Sequence, residues 1–373
     1  MKKYEKVLLV GGGTGGHAAP ILAVYQRLRQ ADPSLKLIVV GSGGEIEAPF
    51  YSNLPDYRVI RSGKLNRYFT FKNISEFCNL SIGVIQSIQM LRREKPRMIF
   101  AKGGHVSLPI VLSANYLKIP YFIHESDIEM GKANKTMSRD ASRVFVGYPA
   151  KYYPEIDQEK LVWSGPLLRE NYENKVSVSP SYFGFKTDKP CILITGGSQG
   201  SLHLSEVFVG SAKDLLKKYN IIHQAGKHSI DLAREFEKSL SEEEKGSYYL
   251  CDFLSVNKDR DMMALAMNLA DLVITRAGST IMELAILGKA MILVPWKHSA
   301  QNHQTLNADY LTSNGGAVSI DDDELNSESL SKIIEEMFAH DRLKLKEVST
   351  KAKQLFPHDG TKIVCDEILK EIK

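Results

Sequence analysis

The sequence predicts an α/β protein made of two doubly wound lobes, each built on a parallel sheet. Short apolar, β-branched runs alternate with helical patterns through most of the 373 residues, as in strands joined by crossover helices. A glycine cluster twice follows such a run: Gly11–Gly16 behind Val7–Val10, and Gly196–Gly200 behind Cys191–Thr195. Between the two series lies Trp163–Arg169, where Gly165-Pro166 suits a hinge. The expected division is 1–164 with 357–373 as one lobe and 165–356 as the other.

In the first lobe, strands are expected at Val7–Val10, Leu37–Val40, Tyr57–Ile60, Met98–Ala101, Tyr121–His124 and Val144–Val146. Apolar spacing at three and four residues places helices at Pro20–Gln30, Glu76–Arg93 and Pro109–Leu117. The second lobe continues after Cys191–Thr195 with strands at Ile221–Gln224, Tyr248–Cys251, Leu272–Thr275 and Met291–Val294. The last segment, Pro357–Lys373, carries Ile363, Val364, Ile368, Leu369 and Ile372 at helical spacing and should close the domain pair.

Hydrophobic content of 43% and charged content of 25% are ordinary for a soluble globular protein. A net charge of +4 is mild, so any basic surface must be local, and no nucleic-acid partner is expected. Cys78, Cys191, Cys251 and Cys365 lie far apart, without CxxC or zinc-like His spacing, which favours buried, reduced thiols. Met1-Lys2-Lys3 leads straight into a strand without a signal-peptide pattern, and no apolar run is long enough to span a bilayer. Any membrane role is therefore expected at the surface. Lys64, Arg67, Lys72, Arg92 and Arg93 surround Ile74, Phe77, Leu80, Ile82, Val84, Ile85 and Ile88. Core packing and an anionic lipid surface both account for that pattern.

The glycine clusters point to the chemistry. Glycine lets backbone N–H groups approach a ligand closely, and a helix N-terminus adds the positive end of its dipole, so such turns favour phosphate. Four of them follow strands, two per lobe: Gly11–Gly16, Gly103-Gly104, Gly196–Gly200 and Ala277-Gly278-Ser279. Gly11, Gly13 and Gly16 fit the dinucleotide pattern, but Leu37–Ser42 ends without the acid that reading requires. The Walker A pattern fails at His17.

His124-Glu125-Ser126-Asp127 clusters polar groups at a strand end, where a ligand role competes with N-capping by Ser126 or Asp127. Glu283, on the helix behind Arg276, suits either a ribose or the helix dipole. Lys297–Asn307 offers amides and imidazoles suited to sugar hydroxyls. Asp259-Arg260-Asp261 has metal-site DxD spacing but reads better as a helix N-cap, and Asp321–Asp323 reads as a solvated loop.

Taken together, these residues resemble the MurG family, the family 28 glycosyltransferases that use UDP-N-acetylglucosamine (UDP-GlcNAc) and a lipid-linked muramyl acceptor. The likeness covers nearly the whole chain. It runs through Gly-Gly-Thr-Gly-Gly-His at 12–17, Lys-Gly-Gly at 102–104, His-Glu-Ser-Asp at 124–127 and Ala-Asn-Lys at 133–135. It continues with Gly-Gly-Ser-Gln-Gly at 196–200, Arg-Ala-Gly at 276–278 and His-Gln…Asn-Ala at 303–308.

The resemblance implies the GT-B fold, two Rossmann-like lobes facing a central cleft. It implies inverting transfer of N-acetylglucosamine to the muramyl 4-hydroxyl of a polyprenyl-diphosphate sugar in peptidoglycan synthesis. It further implies no cofactor and no metal, with a peripheral place on the cytoplasmic face of the cell membrane. His17 would be the base. Gly13, Thr14, Gly15, Gly16, Gly103, Gly104, His105, Glu125 and Asn134 would meet the acceptor. Ser198 and Gln199 would meet the donor phosphates, Arg169 and Arg276 the nucleotide diphosphate, Glu283 the ribose, and Phe253 and Leu254 the uracil. Asp127, His303 and Gln304 would face the N-acetylglucosamine.

Two departures stand out. Many members carry Gln-Asn where this chain has Ser126-Asp127, and the Arg276-to-Glu283 spacing is one residue shorter than usual. On a helix, one residue rotates a side chain by roughly 100°. Rival readings are a related transferase with another lipid acceptor such as diacylglycerol, a UDP-GlcNAc epimerase, and a nucleotide-sugar-binding subunit. The missing acid after the second strand disfavours a dehydrogenase.

Overall fold

The computed structural model describes residues 5–63, 71–169, 172, 176–197, 199–254, 256–257 and 260–373, with the side chains of 71–74, 256–257 and 260 left aside. The chain divides into two compact units, Met1–Glu170 with His358–Lys373, and Asn171–Pro357. Gly165–Arg169, expected in the second lobe, thus belong to the first unit, and Pro357, expected in the first, to the second.

The first unit alternates β1 (Lys6–Val10), α1 (Gly15–Ala31), β2 (Lys36–Gly41), α2 (Ala48–Tyr51), β3 (Tyr57–Val59), α3 (Phe71–Glu94) and β4 (Met98–Ala101). It continues with α4 (Ser107–Leu117), β5 (Tyr121–Glu125), α5 (Lys132–Met137), β6 (Arg143–Val146) and β7 (Leu161–Trp163). These strands are parallel throughout, in the order β3-β2-β1-β4-β5-β6-β7. Leu8 pairs in register with Ile38 on one side and Ile99 on the other, and Val7–Val10 are fully buried, as a strand covered on both faces must be. The order reverses between β1 and β4. The turns after those two strands, Gly11–Gly16 and Lys102–Gly104, therefore leave from the switch point where such sheets take ligands.

Helix α1 begins at Gly15 rather than at Pro20, with Thr14 extended in front of it. Pro20 inside the helix removes the N–H that would pair with the Gly16 carbonyl.

The second unit runs β8 (Cys191–Thr195), α6 (Leu202–Lys218), β9 (Asn220–Gln224), α7 (Ile230–Lys238), α8 (Glu242–Lys245), β10 (Tyr248–Cys251), β11 (Val256–Asn257) and β12 (Arg260–Asp261). Then come α9 (Met262–Leu269), β13 (Leu272–Thr275), α10 (Thr280–Ile286), β14 (Ala290–Leu293), α11 (His303–Ser313), β15 (Val318–Ser319) and α12 (Ser327–Leu355). Its main sheet is parallel, in the order β10-β9-β8-β13-β14-β15, and reverses between β8 and β13. Two more glycine turns leave that switch point. The core gathers Ile192, Phe208, Ile274, Ile292, Leu330 and Ile334.

Within that core His223 links Ser205 Oγ at 3.2 Å to the Tyr248 hydroxyl at 2.8 Å. Burial lowers its pKa to about 3, so the ring is neutral, a satisfied core histidine. Helix α12 follows an Asn326–Ser329 capping box and is interrupted at Ala339–Arg342.

The chain ends in α13 (Gly360–Ile372), which packs on α1 of the first unit. Arg27 pairs with Asp359 at 3.0 Å, and the Thr361 hydroxyl donates to the Leu168 carbonyl at 2.7 Å. Cys191 and Cys365 are buried and burial pushes both thiols up. Cys78 departs from the expectation of buried thiols, because it lies on the exposed side of α3.

Candidate active site

In the first unit, the switch-point turns bring His17, His105 and Asn134 together. Gly13 has φ +86°, and a Cβ there would stand 2.3 Å from His105 Cε1. Gly103 has φ +101°, and a Cβ there would stand 2.7 Å from Asn134 Oδ1. Only glycine meets both demands. A Cβ on Gly104 would stand 3.2 Å from His17 Nδ1, so the second turn approaches the imidazole itself.

His17 lies in the first turn of α1, half-buried, with Nδ1 2.8 Å from Thr14 Oγ1. With Nδ1 as the donor, Nε2 keeps its lone pair, the form a base requires. Burial is the main cause that lowers the pKa of His17 to about 3. Lys102 and His105 act in the same direction, and Asp127 opposes them.

Lys102 is buried at the end of β4 and donates to Ser126 Oγ at 2.7 Å. Burial lowers its pKa while Glu125 and Asp127 raise it. Glu125, expected at the acceptor, is instead turned inward. It accepts from the backbone of Ser126 at 2.7 Å, Asp127 at 3.0 Å and Gly131 at 3.0 Å, and from Asn134 Nδ2 at 2.9 Å. It therefore shapes the loop after β5, and neither Ser126 nor Asp127 caps a helix, since α5 starts behind Gly131.

Glu47 gives this half its other buried carboxylate. It is fully buried and accepts from Gly13 N–H, from Ser42 through both backbone (2.8 Å) and hydroxyl, from Gly43 N–H (3.3 Å) and from the Tyr57 hydroxyl (3.3 Å). The Gly13 amide, expected to face the acceptor, thus already serves an internal anion. The N–H groups of Gly15 and Gly16 lie in the first turn of α1, where a helix supplies no carbonyl of its own to accept from them. Sequence reasoning missed Glu47, which sits in a loop without a motif, and read Lys102 only as part of a Lys-Gly-Gly string.

In the second unit, Ser198 lies outside the described residues and Gln199 is exposed beside it. Buried Gln224, also missed, ties two expected contacts together. Its Nε2 donates to the Gly197 carbonyl at 3.1 Å, and its Oε1 accepts from Leu254 N–H at 3.3 Å, next to Phe253.

Arg276 is held by Asp322 at 2.8 Å, by Ser201 Oγ at 2.6 Å and by the Val294 carbonyl at 3.0 Å. Asp322 also meets His203 Nδ1 at 3.1 Å, and Lys297 bridges Asp321 and Asp323 at 2.8 and 2.7 Å. Asp321 and Asp323 thus form exposed ion pairs in a turn, as the solvated-loop reading expects, while Asp322 is drawn inward to Arg276. Asp261 caps α9 through Ala264 N–H at 3.1 Å, while Asp259 lies outside the described residues.

Glu283 lies in the first turn of α10 and His303 opens α11. Gln304 Oε1 accepts from Trp296 N–H at 3.0 Å, and Asn307 Nδ2 donates to the Ala277 carbonyl at 3.1 Å. Asp127 and Arg169, expected at the donor, belong to the first unit. Asp127 sits in the field of His17 and Lys102, and the Arg169 guanidinium lies 5.9 Å over the Phe50 ring.

Comparison with known proteins gives this geometry its context. Residues 7–146 match the glycosyltransferase family 28 N-terminal domain and residues 191–363 its C-terminal domain. A Clostridium perfringens protein (strain SM101) is 36% identical over 339 residues, 90% of this chain and 91% of its own. A Clostridium botulinum protein (strain Langeland) is 34% identical over 373 residues, 99% of this chain and all of its own. Both are named UDP-N-acetylglucosamine–N-acetylmuramyl-(pentapeptide) pyrophosphoryl-undecaprenol N-acetylglucosamine transferase. The crystal structure of Acinetobacter baumannii MurG, 24% identical, covers 99% of this chain and 100% of its own with a TM-score of 0.70, and so shares the GT-B fold. With two parallel sheets, paired switch-point turns and both family domains in order, the chain belongs to glycosyltransferase family 28.

Proposed function

We infer that the protein transfers N-acetylglucosamine from UDP-GlcNAc, with inversion, to the 4-hydroxyl of a muramyl-pentapeptide carried on undecaprenyl diphosphate. The observation that carries this reading is His17, a neutral imidazole at a phosphate-type turn of one unit. In the other unit the ion-paired Arg276 follows β13 and donates to Ser201 Oγ, next to the Gly196–Gly200 turn. A hydroxyl is a poor nucleophile, so a base must take its proton as the oxygen attacks the anomeric carbon. The bond to UDP breaks in the same step, and the new charge falls on the diphosphate. Amides of the Gly196–Gly200 turn, the N-terminus of α6 and Arg276 supply compensating dipoles and charge.

Asp322 acts through Arg276, holding the guanidinium in place before the donor arrives. Asp322→Asn is expected to raise the KM for UDP-GlcNAc ~5-fold with kcat within about twofold, the effect of freeing one pre-ordered side chain. Steady-state kinetics with the donor varied reads this directly.

The first unit is proposed to rest on anionic lipid. Phe77 (61%), Ile85 (57%) and Tyr116 (68%) are exposed on α3 and α4, and Arg92 and Arg93 are exposed at the end of α3. Lys64 and Arg67 lie outside the described residues, as do the side chains of Lys72 and Ile74. Among the described residues no helix is long and apolar enough to cross a membrane.

The deciding experiment measures UDP release from UDP-GlcNAc in EDTA, with and without a short-chain lipid-linked muramyl-pentapeptide. Release only with the acceptor supports the transferase and makes the acidic motifs inessential as metal sites. Bound UDP without release points to another lipid acceptor. Conversion of free UDP-GlcNAc without any acceptor identifies an epimerase.

A further inference from the structure

A cavity of about 390 Å³ opens in the first unit beside the His17 turn. Ser42, Arg61, Ser62, Asn79, Gln86 and His105 give it its polar lining. His105 belongs to both places, since it lines the cavity and stands against Gly13 of the turn. Gln86 Oε1 accepts from Arg61 N–H at 2.8 Å, which fixes the segment after β3 against α3 and holds the wall in shape. Three neutral amide or hydroxyl groups, Ser62, Asn79 and Gln86, face the space with the permanent charge of Arg61. That set suits peptide groups and a carboxylate, and it is too polar for a prenyl chain.

We propose that this cavity receives the peptide of the acceptor. The inference rests on the acceptor reading above. In muramic acid the peptide hangs from a lactyl ether on O3, next to the 4-hydroxyl that His17 would deprotonate. With the diphosphate on C1 at the glycine turn, the O3 substituent must leave the sugar close to that hydroxyl. The cavity joined to the turn through His105 offers space for it there. Asn79 and Arg61 then set specificity for a peptide-bearing acceptor without touching the reacting atoms.

The test compares kcat/KM for a short-chain lipid-linked muramyl-pentapeptide with that for the same lipid carrying only the lactyl group. The wild type is expected to prefer the pentapeptide by ~10-fold or more, the effect of one charge-assisted hydrogen bond and its neighbours. In Arg61→Gln, and separately in Asn79→Ala, that preference should fall to about threefold or less. An unchanged preference in both variants overturns the proposal, as does a wild type that does not distinguish the two acceptors. Because the readout is a ratio within each protein, a loss of folded enzyme cancels. A wild type that transfers to neither acceptor removes the acceptor reading itself, and this inference with it.

Discussion

His17→Ala is expected to lower kcat by roughly 10²- to 10⁴-fold, the range that one positioned proton acceptor contributes. The donor KM should stay near its wild-type value, because the turn, α6 and Arg276 that would hold the nucleotide belong to the second unit. The fold should survive, since the half-buried ring bonds Thr14 Oγ1 at an exposed helix start. Near-normal turnover would remove His17 as the base.

The pH profile sharpens this expectation. The folded pKa of His17 lies below its ordinary 6.5, at about 3, so the ring is neutral and able to accept a proton at every pH above about 4. The kcat/KM profile reports the free enzyme, so it should show no His17-linked loss between about pH 5 and 8. A bound acceptor diphosphate places negative charge near Lys102 and the ring, which opposes the lowering by Lys102. Accordingly kcat, which reports the complex, should fall on the acid side at a higher pH than kcat/KM does. An acid limb of kcat/KM near 6.5 that vanishes in His17→Ala would mean that burial and Lys102 do not lower the ring's pKa in the free enzyme.

Much of this architecture can be read in the sequence, for a physical reason. Parallel strands covered on both faces must be apolar throughout, so Met98–Ala101, Cys191–Thr195 and Leu272–Thr275 are recovered to the residue. Turns that need glycine announce themselves likewise. Hidden from the sequence are the partners that long-range folding brings to those turns. Glu47 reaches Gly13 across 34 residues, Lys102 reaches Ser126 across 24, and Leu254 reaches Gln224 across 30, with no local spacing to mark them. The start of α1 is concealed because Gly15 and Gly16 are poor helix formers held in place by the turn. The lobe boundary falls after Arg169 rather than at Gly165-Pro166, because Thr361 ties the segment that follows to the first unit through Leu168. Helix α12 did carry a signal, the Asn326–Ser329 capping box, which a search for strands passes over.

Glu47→Ala should show how far the glycine turn depends on its internal anion. Removing the carboxylate strands the N–H groups of Gly13, Ser42 and Gly43 and the Ser42 and Tyr57 hydroxyls around a buried gap. Losing a buried, charge-assisted acceptor with several donors costs on the order of 3–5 kcal/mol, read as a fall in the urea midpoint of the first unit. Acceptor kcat/KM should drop by about 10²-fold, since the Gly13 turn loses the bond that fixes its path to Gly15 and Gly16. Glu47→Gln separates the two effects. One side-chain oxygen can still serve either Gly13 and the Ser42 hydroxyl or the Ser42 and Gly43 amides, but the new NH₂ must then face the other set, donor against donor. That variant should keep most of the stability and still raise the acceptor KM, with the donor KM unchanged. If its acceptor KM were also unchanged, Glu47 would anchor the fold without shaping the turn. A selective rise would instead show that the carboxylate takes the inner face of the turn so that the first turn of α1 stays open to phosphate.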